Sequence, residues 1–139
     1  MPAKYTLEII TPERIFFKGE VQSVIIPTTD GFMSIQRMHE PMVAAIKVGE
    51  MKLQMADGKW KECSTTAGFV EVRPDETIIF SQAVEWPEEI DLRRAQEAKE
   101  RAEEQLRQKQ SYQEYMQSQI TLARAMVRLR VGRRNRNLQ

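Results

Sequence analysis

Pro87-Glu88-Glu89-Ile90-Asp91-Leu92-Arg93-Arg94-Ala95 is where the 139-residue sequence changes character. Upstream, short apolar runs are broken by Gly19, Asp30-Gly31, Gly49, Asp57-Gly58, Gly68 and Pro74-Asp75, the spacing of antiparallel strands joined by turns. Downstream there is no further proline, and no glycine before Gly132, so nothing interrupts helix. The sequence therefore predicts a two-domain α+β chain: an antiparallel β-sandwich over residues 1–86, then an antiparallel α-helical hairpin over residues 87–139.

In the upstream part, Tyr5, Leu7 and Ile9 alternate with Lys4, Thr6 and Glu8, the period of a strand with one buried face. Similar runs at Val21–Ile26, Lys52–Met55, Phe69–Val72 and Thr77–Phe80 read as a meander. Asp57-Gly58 reads as a two-residue hairpin turn, because Asp and Gly tolerate positive φ. Roughly 86 residues are enough to close one core. Phe32, Met33, Met38 and Met42 surround Gln36, Arg37, His39 and Glu40. That stretch reads either as a loop carrying an apolar contact patch or as ordinary core packing.

In the downstream part, Asp91 suits an N-cap, and Leu92, Ala95, Ala98, Ala102 and Leu106 form a narrow stripe at helical spacing. An alanine seam buries little area, so a partner helix held by it is easy to release. Ser111-Tyr112-Gln113-Glu114 fits a capping box, which makes Gln108-Lys109-Gln110 a turn. A second helix follows to about Val131, with Tyr115, Met116, Ile120, Ala123 and Val127 as its apolar stripe. A turn near Lys109 sets Arg94 level with the Arg124–Arg128 segment. Arg94 and Arg101, like Arg124 and Arg128, share a helix face. Inward, these guanidiniums form an anion clamp with Asp91 the main nearby carboxylate; outward, they radiate into solvent. The spacing leaves both arrangements open.

The formal net charge of +1 hides an asymmetry: after Glu114 no acidic residue occurs, while Arg124, Arg128, Arg130, Arg133, Arg134 and Arg136 do. An anionic partner for that end is the expectation. Cys63 and His39 are the only residues of their types, which excludes an internal disulfide and leaves no zinc-binding set. Cys63 reads as a small buried hydrophobe. No apolar run is long enough to span a bilayer, and Met-Pro-Ala-Lys at the start has no apolar signal core, so a cytosolic protein is expected. Without a glycine-rich phosphate loop followed by Lys and Ser or Thr, a bound nucleotide would be sensed and not hydrolysed. Nucleic-acid binding is disfavoured, since the arginines have no interleaved aromatics. A permanently packed adaptor is the remaining alternative.

Three separated pieces resemble the epsilon subunit of bacterial F-type ATP synthases. They are Ile10-Thr11-Pro12-Glu13-Arg14 with Gly19; Asp30-Gly31 through His39-Glu40-Pro41 with Ala44-Ala45-Ile46-Lys47-Val48-Gly49; and Ile90-Asp91-Leu92-Arg93-Arg94-Ala95, which fits an I/L-D-x-x-R-A pattern. The resemblance implies a non-catalytic rotor subunit in the central stalk, on the cytoplasmic face of the bacterial membrane. Its β-sandwich would bind the gamma subunit and the c-ring, with Phe32, Met33, Met38, His39 and Met42 as contacts. The resemblance also implies a movable hairpin that inhibits ATP hydrolysis when extended into the catalytic alpha/beta head. Arg124, Arg128, Arg130, Arg133 and Arg134 would make that contact. No cofactor is obligatory, but ATP is implied as a regulatory ligand held by Glu85, Asp91, Arg94, Ala95, Arg101, Arg124 and Arg128, with or without Mg²⁺. In the middle loop, Phe32, Ser34, Arg37 and Met38 stand where the family pattern carries Glu, Gly, Pro and Gly. A more apolar ring contact is therefore expected.

Overall fold

The computed structural model describes residues 3–108 and 111–137, the side chains of residues 136 and 137 excepted. The chain divides between Glu85 and Trp86 into two compact units.

The first unit contains nine strands: β1 (Tyr5–Ile10), β2 (Ile15–Thr28), β3 (Gly31–Gln36), β4 (Met42–Ile46), β5 (Gly49–Met55), β6 (Trp60–Thr65), β7 (Gly68–Val72), β8 (Glu76–Ser81) and β9 (Val84–Glu85). Their order is β4-β7-β8-β1-β2-β5-β6-β9, with β3 also on β2. The 14-residue β2 serves both halves of the sandwich: its first half pairs with β1 and its second with β3 and β5, across a register irregularity between Val21 and Ser23. Leu7, Ile9, Val24, Ile26, Ile35, Met51, Leu53 and Ile79 are fully buried between the layers. β1 follows the alternation its sequence predicts, with Tyr5, Leu7 and Ile9 inward.

The expected meander needs three corrections. β1 and β8 run parallel, Leu7 opposite Thr77, while the other ladders are antiparallel. The hairpin at Asp57-Gly58 has a three-residue loop: Met55 N–H donates to the Lys59 carbonyl and Gly58 N–H to that of Met55. Only Gly58 takes positive φ there, at 88°, and the Asp57 carboxylate instead accepts from the Lys59 amide. The stretch read as a loop after Asp30 is strand β3, of which Ile35 alone is buried.

The second unit holds a short 3-10 turn (Pro87–Glu89), α1 (Leu92–Arg107) and α2 (Tyr112–Asn137). Asp91 caps α1 as predicted, its Oδ1 accepting from the Arg94 amide at 3.1 Å. Ser111 Oγ accepts from the Glu114 amide at 3.2 Å, the Ser half of the capping box. Of the predicted turn, Lys109 and Gln110 lie outside the described residues, and Gln108 is extended. α2 runs through Gly132, past the expected end.

The hairpin seam also differs from the expected stripe, of which Tyr115, Met116 and Ile120 are exposed and Ala123 is half-buried, while Val127 alone is buried. The side of α2 that meets α1 carries Ser118, whose Oγ bonds Gln105 Oε1 at 3.3 Å, and Gly132, which abuts Leu92. Ala125, seven residues from each, and Leu129, four residues further on, are buried between them, on the side that meets Ala95 and Ala102. Small residues make the seam, and hydrophobicity alone does not pick them out.

Candidate functional site: an arginine flank and two apolar surfaces

The seam contacts fix the register of the hairpin. With Ser118 beside Gln105 and Gly132 beside Leu92, Arg124 comes level with residues near Arg101, and Arg94 with Arg130. Arg94, expected level with the Arg124–Arg128 segment, instead lies about two residues beyond its end, because the observed register centres the reversal nearer Ser111 than Lys109. Arg94 precedes buried Ala95, Arg101 precedes Ala102, Arg124 precedes Ala125 and Arg128 precedes Leu129. In an antiparallel pair, residues one before a seam position lie on the same side of both helices. All four arginines thus share one flank, within roughly 10 Å along the axis at ~1.5 Å per residue.

Asp91, one before Leu92, falls at the same edge. Arg94 and Arg101 are exposed and Arg124 is half-buried. Among the described residues these three make no side-chain hydrogen bond or ion pair, unlike Arg93 and Arg107, which pair with Glu97 and Glu104. Three cations on one flank, Arg94, Arg101 and Arg124, without carboxylate partners among the described residues, can take a polyanion such as a triphosphate. Ala95 is fully buried in the seam and positions Arg94 without offering a polar group. Glu85 belongs to β9 in the other unit, paired with Ser64. Of the tail arginines, Arg130 and Arg133 are exposed and Arg134 is half-buried.

In the stretch expected to meet a ring, Phe32 is 70% and Met38 82% exposed, while Met33, His39 and Met42 are half-buried. The turn Gln36–His39, closed by His39 N–H on the Gln36 carbonyl, holds Met38 at φ 69°. This is a left-handed position that favours glycine. Met38 and His39 line an open depression of about 340 Å³ with Ser34, Gln36 and Arg37; Phe32, Met33 and Met42 do not.

A surface that the sequence reading missed lies on the outer side of the first half-sandwich. Cross-strand register sets Ala45 opposite Phe69, Phe69 opposite Phe80, Phe80 opposite Ile10 and Ile10 opposite Ile15. This apolar row crosses five strands, about 19 Å at ~4.8 Å each. Phe69 is 44% and Ile15 58% exposed, and the Phe69 and Phe80 rings stack at 4.9 Å. Val43, 69% exposed, adjoins it on β4. Contiguous exposed apolar surface of this kind is uncommon on a protein that meets no partner, membrane or ligand. The missed signal was that β8 carries Ile78, Ile79 and Phe80 in succession, a strand apolar on both faces.

Cys63 is fully buried, and burial pushes its thiol well above the ordinary range, which removes it as a nucleophile. No group of residues suited to holding a metal ion, and no helix long and apolar enough to cross a membrane, occurs among the described residues.

Residues 4–87 match the family described as ATP synthase, Delta/Epsilon chain, beta-sandwich domain, and residues 88–132 its long alpha-helix domain. An ATP synthase epsilon chain of Ruminiclostridium cellulolyticum is 46% identical, over 96% of this chain and 99% of that one. That of Caldanaerobacter subterraneus is 47% identical over 95% and 96%. Among solved structures, a chain of the Euglena gracilis mitochondrial ATP synthase superposes with a TM-score of 0.78 at 23% identity, covering 91% of this chain and 79% of that one. A chain of the Tetrahymena thermophila mitochondrial ATP synthase central stalk and c-ring gives 0.67 at 12% identity, covering 92% and 96%.

Proposed function

The chain belongs to the ATP synthase delta/epsilon chain family, and we propose accordingly that it is a non-catalytic subunit of the rotary central stalk whose hairpin regulates ATP hydrolysis. The β-sandwich docks the gamma subunit through the row Ala45–Phe69–Phe80–Ile10–Ile15. It meets the c-ring through the end bearing Phe32 and Met38. Peripheral attachment to the cytoplasmic face of a bacterial membrane follows from those contacts.

The observation that carries the regulatory reading is the seam of Ala95, Ala102, Ser118, Ala125 and Gly132. Closing such a hairpin buries little apolar area, so its closed and open forms lie near in free energy. Opened, the 16 residues of α1 and 26 of α2 reach roughly 63 Å at ~1.5 Å per residue, enough to meet the catalytic alpha/beta head. Arg124, Arg128, Arg130, Arg133 and Arg134 then approach an acidic surface. ATP bound on the flank of Arg94, Arg101, Arg124 and Arg128 holds the hairpin shut. A ligand specific for one state stabilises it by ~2.7 kcal/mol at a hundred times its dissociation constant.

The test has two arms. A chain ending at Glu88 should assemble with gamma and release the assembled enzyme from inhibition of hydrolysis; failure to assemble contradicts the division of labour. Calorimetric titration of the full chain with ATP, with and without Mg²⁺, should give one saturable site that Arg94→Ala and Arg124→Ala both weaken. Unchanged affinity in both variants rejects the arginine flank as the site.

A further inference from the structure

Gly132 lies in the interior of α2, yet glycine is the poorest helix former after proline. Its φ is ordinary, so no left-handed turn calls for it. What calls for it is proximity: a Cβ at this position would stand 2.6 Å from Leu92 Cδ2, 3.4 Å from Leu92 Cγ and 3.2 Å from Ile90 Cγ2. The first of these separations is shorter than any contact real carbon atoms make, and the third requires Ile90 to give as well. One residue on, Arg133 Nη2 donates to Gln96 Oε1 at 2.9 Å, a bond from helix to helix. Both contacts sit at the end of the hairpin away from its turn, where separation of the helices would begin.

We propose that Gly132 against Leu92 and Ile90, together with the Arg133–Gln96 bond, forms a clasp that sets how readily the hairpin opens. The proposal rests on the reading of the hairpin as a movable arm. The glycine lets the α2 backbone approach α1 closely enough for Leu92 to pack against it, and that approach brings Arg133 within reach of Gln96. The two parts reinforce each other, since widening the gap at Gly132 lengthens the Arg133 bond. Opening releases the Arg133 guanidinium, which then becomes available to an acidic partner. Closure therefore depends on two small contacts at the far end of the hairpin as well as on the alanine seam. A methyl group suffices to disturb the first and loss of one amide the second.

The experiment uses the full chain in a Cys63→Ser background, with spin labels on cysteines replacing Glu97 in α1 and Met126 in α2. Pulsed dipolar distances then report the closed and open populations without nucleotide. Gly132→Ala should lower the closing constant by about tenfold, at the mild end of what overpacking costs. Helix content by circular dichroism should be equal or higher, because alanine favours helix, so lost closure cannot be lost helix. In a Leu92→Ala background the same Gly132→Ala change should alter closure by less than about twofold, the methyl filling vacated space. Gln96→Ala should lower closure by about threefold, the low end of what one net hydrogen bond contributes, as suits an exposed pair.

Equal closure in Gly132→Ala and the parent, or an equal loss from Gly132→Ala with and without the Leu92→Ala change, overturns the clasp and leaves the movable-arm reading intact. A separate measurement isolates that reading: hydrolysis by the assembled enzyme with its hairpin locked by an engineered disulfide. Unaltered regulation there refutes the arm, whereas the population shifts in the labelled chain still establish the clasp.

Discussion

Phe69 and Ile15 offer the sharpest test of the docking row. Phe69 is 44% exposed and Ile15 58%, and both belong to the cross-strand row that passes through Phe80 and Ile10. A phenylalanine has about 200 Å² to bury, so about 90 Å² of Phe69 remains available to a partner, worth ~2 kcal/mol at ~25 cal/mol per Å². Full burial of an isoleucine is worth ~1.5–3 kcal/mol, and the exposed share of Ile15 corresponds to ~1–1.7 kcal/mol on the same scale. Phe69→Ser with Ile15→Ser should then weaken binding to gamma by roughly two orders of magnitude. The assay is titration calorimetry of the full chain with isolated gamma at a temperature where each variant is folded. Truncation also removes the buried parts of both side chains, so melting temperature falls too and is recorded separately. Trp60 is the control: it is 50% exposed but lies on β6, away from the row. Trp60→Ser should leave the affinity within about twofold, well below the ~2 kcal/mol expected from Phe69. If the double variant binds as tightly as the parent, or Trp60→Ser weakens binding as much, the row is not the docking surface.

Two further predictions concern the sandwich itself. The buried Tyr5 hydroxyl donates to the Ile35 carbonyl at 2.6 Å, so Tyr5→Phe should cost ~1–2 kcal/mol in denaturant unfolding. Burial also raises the Tyr5 pKa above its ordinary 10; the neutral phenol is the folded form. Its contribution is complete below pH ~10 and is lost as pH climbs above that value, so the phenylalanine variant should show a shallower alkaline loss of stability. Parallel alkaline profiles would reject that account. Met38→Gly should raise stability by ~0.5–1 kcal/mol, since it relieves a left-handed non-glycine residue partly offset by unfolded-state entropy. A lower melting temperature for that variant would show that the turn stores no strain at Met38.

The sequence made the division near Pro87, the inward side of β1 and the Asp91 cap legible because each depends on neighbours in the chain. Alternation places Tyr5, Leu7 and Ile9 together whatever they pack against, and a cap reaches only three residues along. β3 was obscured because its outward Phe32 and half-buried Met33 break the alternation that marks a strand, leaving Ile35 as the single buried position. The outward apolar row was hidden for a different reason. Ala45, Phe69, Phe80, Ile10 and Ile15 become neighbours only through four ladder registers, one of them the parallel pairing of β1 with β8, which a meander reading excludes.

The hairpin register had the most leverage over the candidate site. Two apolar faces compete on α2, and the bulkier one is exposed over its first half, at Tyr115, Met116 and Ile120, and buried at Val127, while serine, alanine and glycine dominate the seam. Choosing the bulkier face rotates every arginine on α2 by a large part of a turn. Placing the reversal at Lys109 also slides the helices past each other by several residues. With the seam assigned through Ser118–Gln105 and Gly132–Leu92, a simple positional relation emerges: Arg94, Arg101, Arg124 and Arg128 each stand one residue before a seam position. Antiparallel geometry then carries all four to one side. The same register brings Gly132 to Leu92 and Arg133 to Gln96, so a hairpin that clusters these cations also sets the clasp at its open end. The anion binding proposed for the flank and closure at the clasp would favour the same helix pairing, so Gly132→Ala should also weaken ATP binding in calorimetric titration, and unchanged affinity would uncouple the two.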